Sequence, residues 1–156
     1  MDYKTNVMRI LDQRKVDYKS YSYADTEAIS GIEVAKVLQQ DPAQVFKTLV
    51  TFGKSKTYYV FMVPVAEELN LKKAASSVGE KSIEMIKSKD LLALTGYIHG
   101  GCSPIGMKKQ FVTTIDQSAQ QHETILCSAG KIGYQIEISL ENLRKVIPYQ
   151  LADITT

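Results

Sequence analysis

Residues 45–64 read VFKTLVTFGKSKTYYVFMVP, two strand-like runs around a turn. In the first run Phe46, Thr48, Val50 and Phe52 fall on one side of an extended chain, and Lys47, Leu49 and Thr51 on the other. GKSK turns the chain. TYYVFMVP returns apolar throughout, which predicts a strand covered on both faces. The result is a hairpin at the centre of the molecule.

On the N-terminal side, Val7, Met8 and Leu11 recur at helical spacing within residues 3–14. VDYKSYSYAD sets Tyr18, Tyr21 and Tyr23 among strand formers. Ser30 and Glu33 then form a capping box that opens a helix through Val34, Val37 and Leu38. DPAQ at Asp41 predicts one short turn before the hairpin. On the C-terminal side, Asn70 and Gly79 bracket one helix and Ser88 and Gly96 another, with a brief strand around Ile83 between them. QFVTTID, ETILCSAG and GYQIEIS read as three more strands, and Ser139 caps a last helix carrying Leu140, Leu143 and Val146. Hairpins without regular βαβ alternation predict one α+β domain over residues 1–156, a mixed sheet or barrel with helices packed outside.

With 156 residues, 44% apolar and 23% charged, the chain can bury a core without staples. No apolar run reaches the ~18 residues of a membrane helix, and MDYKTNVMRILDQRK is too polar for a secretory signal, so a cytoplasmic protein is expected. A net charge of +2 is weak for a nucleic-acid binder. It still allows grip on the end of one, through clusters such as Lys54 and Lys56 with Lys72 and Lys73, or Lys108 with Lys109. Cys102 and Cys127 have no metal spacing and are expected to be reduced.

Four of the nine glycines fall in TGYIHGGCSPIGMKK, Thr95 to Lys109. Glycine opens backbone angles closed to other residues, and Pro104 fixes one, so this loop is shaped. Freed N–H groups aimed at one point would suit an oxyanion or a phosphate, whereas a tight helix-to-strand connection would need the same residues. CSAG, Cys127 to Gly130, sets the Ser128 hydroxyl beside a glycine, as a site or as a plain turn. Lys47 stands in mid-strand where a β-branched or aromatic residue is the default, either as an exposed face or as a positive charge in a concave site. His99 and Cys102 invite a thiol-enzyme reading, without an acidic orienter nearby. His122 lies in a polar run. No Walker-type loop is present.

Taken together and in order, VFKTLV, PVAEELNLKKAA, TGYIHGGCSPIGMKK and CSAGKIG resemble the YbaK/EbsC family of bacterial aminoacyl-tRNA deacylases, related to the editing domain of bacterial prolyl-tRNA synthetase. The resemblance covers nearly the whole chain and is nearest to the Cys-tRNA(Pro) deacylase branch. It implies a mostly antiparallel, barrel-like mixed sheet ringed by helices. It places the essential lysine on Lys47 with Thr48 beside it, and the Gly-x-x-x-Pro loop on Gly100, Gly101, Cys102, Ser103 and Pro104. The pocket tyrosine falls on Tyr21 and the pocket serine on Ser128. Gln135 stands where the family pattern leads one to expect aspartate, and the cysteine at 102 is a position often aliphatic in the family.

The resemblance further implies hydrolysis of the ester joining cysteine to the terminal ribose of tRNA(Pro), the substrate's own thiol attacking its carbonyl, with no cofactor and no metal. Lys47, Gly100 and Gly101 would act on the reacting group, and Tyr21, Thr48, Cys102, Ser103, Pro104, Ser128 and Gln135 would shape the pocket. Discrimination by one small group is worth only ~1 to 3 kcal/mol, so a transient complex with prolyl-tRNA synthetase is expected to supply tRNA identity. Removal of another small amino acid, such as alanine from Ala-tRNA(Pro), and a non-catalytic module binding a tRNA end or nucleotide are the alternatives.

Overall fold

Thr5 opens the first helix by accepting the Met8 amide on its hydroxyl, and α1 (Asn6–Gln13) buries Val7, Met8 and Leu11 as their spacing predicts. The computed structural model describes residues 3–156. It continues with β1 (Lys19–Ser22), α2 (Gly31–Val37), β2 (Phe46–Gly53), β3 (Tyr58–Pro64), α3 (Leu71–Val78), β4 (Ile83–Met85) and α4 (Ser88–Thr95). After the glycine loop come β5 (Val112–Asp116), a 3-10 turn (Gln117–Gln121), β6 (Ile125–Ser128), β7 (Tyr134–Ile138), α5 (Leu140–Arg144) and β8 (Gln150–Ala152).

β2 and β3 form the expected hairpin, in register from Phe46↔Pro64 to Phe52↔Tyr58. They lie inside a five-stranded sheet of order β4-β2-β3-β5-β8, and a second sheet has the order β1-β7-β6. Pairings β3·β5 and β5·β8 are parallel and the others antiparallel. The sheets meet where β2 begins: Val45 bridges to Leu126, whose amide donates to the Gln44 carbonyl at 3.0 Å. They wrap around a shared core without closing into a barrel. This is the α+β architecture that the order of elements predicts.

β3 is covered on both faces. Val60 and Met62 enter the main core with Val7, Leu11, Ile115 and Ile136, while Phe61 and Val63 pack with Ala74 and Ala75 of α3. All four of these β3 side chains are fully buried, each worth ~1.5 to 3 kcal/mol relative to exposure. Helix ends follow local chemistry. The Ser30–Glu33 capping box is complete, Asn70 accepts the Lys72 and Lys73 amides, and Gly79 and Gly96 end α3 and α4 in the left-handed conformation.

Several expectations need correction. Lys87, not Ser88, is the N-cap of α4; Ser88 is already helical and Lys87 makes no side-chain cap. Val37 is exposed, because the apolar side of α2 is carried by Val34 and Ala35. α5 ends at Arg144, leaving Val146 beyond the helix though still against the core. β8 and the 3-10 turn have too few residues to show a period. β8 is held by its partners, with Gln150 Nε2 donating to Thr114 Oγ1 at 2.9 Å and to the Ser77 carbonyl at 3.1 Å.

Asp116 ties the C-terminal end to the sheet. Its buried carboxylate accepts the Ser118 amide at 3.2 Å and the Ile154 amide at 3.1 Å. Removing it strands buried N–H groups at ~1 to 3 kcal/mol each. Asp116→Ala is therefore expected to lose about 2 to 4 kcal/mol in urea unfolding, and a loss below about 0.5 kcal/mol would contradict this account.

Candidate active site

The outer edge of β2 is only partly paired. Val50 O accepts from Ile86 N at 3.4 Å and Lys54 N donates to Ser82 O at 3.1 Å, so the even-numbered residues turn their backbone groups away from β3. β4 covers that edge at Thr51–Gly53, and the bridge to β6 touches it at Val45. Between them Thr48 presents its N–H and C=O on an edge that no strand covers. A cavity of about 550 Å³ opens there. It is walled by Phe46 to Leu49, the first turn of α2, the glycine loop at His99, Gly100 and Cys102, and the strand ends at Cys127, Ser128, Tyr134 and Gln135.

Lys47 and Thr48 both line this wall, from opposite faces of β2. Lys47 is half-buried and makes no ion pair among the described residues. The Thr48 hydroxyl is buried and has no hydrogen-bond partner. Glu33 and Ser128 are engaged within the protein. Glu33, the one acidic residue of the wall, turns its carboxylate onto the Ser30 and Ile29 amides at 3.0 and 3.3 Å; the Ser30 and Ile29 amides and the Ser30 side chain hold its pKa below the usual carboxylate value. Ser128 Oγ accepts the Gly130 amide at 3.1 Å, so it belongs to a turn and to the cavity wall at once.

Gln135 is buried and locked. Its Oε1 accepts from Gln40 Nε2 at 2.7 Å, and its own Nε2 donates to Gln40 Oε1 at 3.0 Å. The reciprocal amide pair satisfies a buried polar group with no carboxylate, which gives a physical reason for glutamine at this position.

The cavity brings together Lys47, Thr48, Gly100, Cys102, Ser128 and Gln135. Four other expected residues are not on its wall. Tyr21 donates its hydroxyl to Glu137 at 2.6 Å, and the turned-in tyrosine is Tyr23, which follows the end of β1 and is buried. The Gly101 amide closes a turn on the Ile98 carbonyl at 2.9 Å and so offers no free donor. A Cβ on Gly101 would come within 3.1 Å of the Ile132 amide nitrogen, so this glycine serves close backbone approach. Ser103 and Pro104 are buried behind the loop, where Ser103 Oγ accepts the Ile105 amide at 3.1 Å. Gly100 has φ +89 and lines the cavity, and among the described residues no acceptor engages the Gly100 or Cys102 amide. The expected cluster of freed N–H groups thus reduces to these two.

Tyr23, Tyr134, Ile29 and Ile32 also line the cavity. Nothing short-range marks them, since their place depends on where β1 stops and on how α2 approaches Val65. A Cβ on Gly31 would lie 2.2 Å from Val65 Cγ1, so that glycine permits the approach. Of the lysine clusters, Lys73 is tied to Asp153 at 3.0 Å. No group of three metal-ligating side chains occurs among the described residues. No helix among them is long and apolar enough to cross a membrane.

Residues 26–146 match the model of the aminoacyl-tRNA editing domain family. The sequence is 49% identical over 154 residues to EbsC of Enterococcus faecalis, named for deacylation of Cys-tRNA(Pro) and Cys-tRNA(Cys), a match covering 98% of this chain and 94% of that protein. A proline–tRNA ligase of Shouchella clausii is 30% identical over 111 residues, which are 71% of this chain and 19% of the ligase. A solved structure described as a trans-editing enzyme for prolyl-tRNA synthetase superposes with a TM-score of 0.82 over 99% of both chains, at 21% identity, a likeness of fold.

Burial pushes the Cys102 thiol up to about 12, and Cys127 likewise. A thiol with a raised pKa stays protonated at every pH below it, so neither sulfur is a ready nucleophile and His99 has no thiolate to stabilise. Alkylation of the native protein by iodoacetamide is expected to stay slow and to keep climbing with pH, about tenfold per unit, up to about 9.5 without levelling off. Fast alkylation that levels off above ~8.5, as for a free cysteine, would contradict the burial of these thiols.

Proposed function

We propose that this chain, which belongs to the aminoacyl-tRNA editing domain family, is a trans-editing enzyme of the cytoplasm that hydrolyses cysteine from mischarged tRNA(Pro). The observation that carries the reading is Lys47, half-buried and without an ion pair among the described residues, on the wall of one largely apolar cavity beside the strand edge at Thr48 that no strand covers. Such a wall favours a small polar ligand with an electron-rich group. A carbonyl becoming an oxyanion fits it, as does the ribose or phosphate of a terminal adenosine.

In this mechanism the Gly100 and Cys102 amides and Lys47 stabilise the charge that develops on the ester carbonyl oxygen. Thr48 and Ser128 orient the aminoacyl group, and Gln135, held by Gln40, offers its remaining N–H. The protein supplies no nucleophile. The substrate thiol loses its proton and its sulfur attacks the carbonyl carbon; the ester C–O bond breaks, and the ribose oxygen leaves with the proton. Water then opens the cyclic thioester to free cysteine. The gain comes from holding the sulfur near the carbonyl and from donors placed in advance. No cofactor is used.

A small charge excess and a cavity sized for an aminoacylated ribose leave tRNA identity to a second protein. A transient complex of the whole 1–156 unit with prolyl-tRNA synthetase and tRNA(Pro) supplies it. The relation to a proline–tRNA ligase segment supports this partner. Sedimentation of the three components together tests it, and the absence of any ternary species would remove the partner from the account.

Deacylation of Cys-tRNA(Pro), with Ala-tRNA(Pro) and Pro-tRNA(Pro) as controls, tests the activity itself. Wild-type protein is expected to clear the cysteinyl ester fastest. Lys47→Ala should lower kcat/KM by about 100-fold or more, whereas Cys102→Ala should keep most of the activity. Faster loss of the alanyl ester would move the specificity to alanine, and no hydrolysis of any ester would leave a binding module.

A further inference from the structure

We infer that Tyr3, stacked on Tyr134 with Lys131 over its hydroxyl end, is a platform on which one base of the unpaired 3′ end of a tRNA stacks before the terminal nucleotide enters the cavity. The identity of the ligand rests on the editing reading above; the platform is argued from its own geometry. The two ring centroids are 4.6 Å apart with planes at 24°. Tyr134 is part of the cavity wall, and Tyr3 is 46% exposed, so the stack runs from the cavity out to solvent.

Lys131 stands at the hydroxyl end of the outer ring. Its Nζ donates to the Tyr3 hydroxyl at 3.1 Å and lies 4.8 Å from the ring centroid. The ammonium lies over the ring but is displaced toward its hydroxyl, and the ring stays in part exposed to solvent. The ammonium also keeps protons for another acceptor, and Lys131 is exposed and makes no ion pair among the described residues. A flat π-face beside a free cation is complementary to a nucleobase and the phosphate next to it.

The stack is built, although its members lie 131 residues apart in sequence. Tyr3 leads into α1, and α1 rests directly on the turn before Lys131. Gly130 has φ +91, and a Cβ there would lie 2.8 Å from Val7 Cγ2 and 3.0 Å from the Tyr97 ring. The missing side chain at Gly130 lets the helix approach, and that approach sets Tyr3 over Tyr134. None of the residues assigned to the reacting group lies in this cluster, so the platform adds a binding contact to the site.

The test uses an uncharged acceptor minihelix carrying 2-aminopurine at each unpaired 3′ position in turn, because stacking quenches this base. Wild-type protein is expected to quench one position. Tyr3→Leu should abolish that quench, Tyr3→Phe should keep it, and Lys131→Ala should flatten the slope of log affinity against log salt by about 0.7. With a charged substrate Tyr3→Leu should raise KM about tenfold and leave kcat unchanged. The platform is overturned if wild-type protein quenches no position, or if the quench survives Tyr3→Leu. A protein that quenches through Tyr3 yet hydrolyses none of the three mischarged esters would sink the editing reading and uphold the platform.

Discussion

The antiparallel register of β2 with β3, seven residue pairs from Phe46↔Pro64 to Phe52↔Tyr58, constrains the rest of the molecule. Because β3 is buried on both faces and paired on both edges, with β2 on one side and β5 on the other, a one-residue slip would exchange its two apolar faces between two cores. The register is therefore held strongly. Holding it also sets which backbone groups of β2 face outward. Thr48 is one such residue, and it falls in the gap between the bridge at Val45 and the pairing with β4. The cavity is thus a consequence of incomplete closure of the sheets. It lies where a strand keeps an exposed edge beside the only lysine of the hairpin's first strand.

The polar groups around that cavity divide by whether the protein satisfies them. Glu33 is turned onto the helix terminus it caps, Gln135 is paired with Gln40, and the Gly101 amide closes its own turn. Both thiols are held neutral by burial. Left for a ligand are the Lys47 ammonium, the uncovered backbone of Thr48, the amides of Gly100 and Cys102, the second N–H of Gln135 and the His99 ring. The donors among them bind and stabilise negative charge, and none is an activated nucleophile. A site of this composition works by placing a reactive substrate, which agrees with an editing role in which the substrate brings its own sulfur.

Much of this was legible in the chain. The hairpin is written in alternation followed by an apolar run, and the starts and stops of α2 and α3 are written in Ser30 with Glu33 and in Asn70 with Gly79. Lys47 stood out because a strand seldom places a lysine between a phenylalanine and a β-branched run. All of these are short-range signals, in which a residue acts on its own backbone or on neighbours within one turn. Where the signal was weak the reading slipped by a residue or two, as at Ser88, or missed an element as short as β8.

The sequence by itself determined the class of fold, the central hairpin and the family resemblance, and it marked out the lysine that lines the cavity, because each is carried by contiguous or periodic residues. The tertiary structure alone decided which tyrosine faces the cavity, which glycine amide is free, and that Gln40 holds Gln135 from 95 residues away. Tyr21 and Tyr23 differ only in whether β1 has ended, and that depends on how far β7 continues beside it. Gly100 and Gly101 differ only in which amide meets the Ile98 carbonyl. Such choices are made by the partner that a group meets across space, and local sequence does not name that partner.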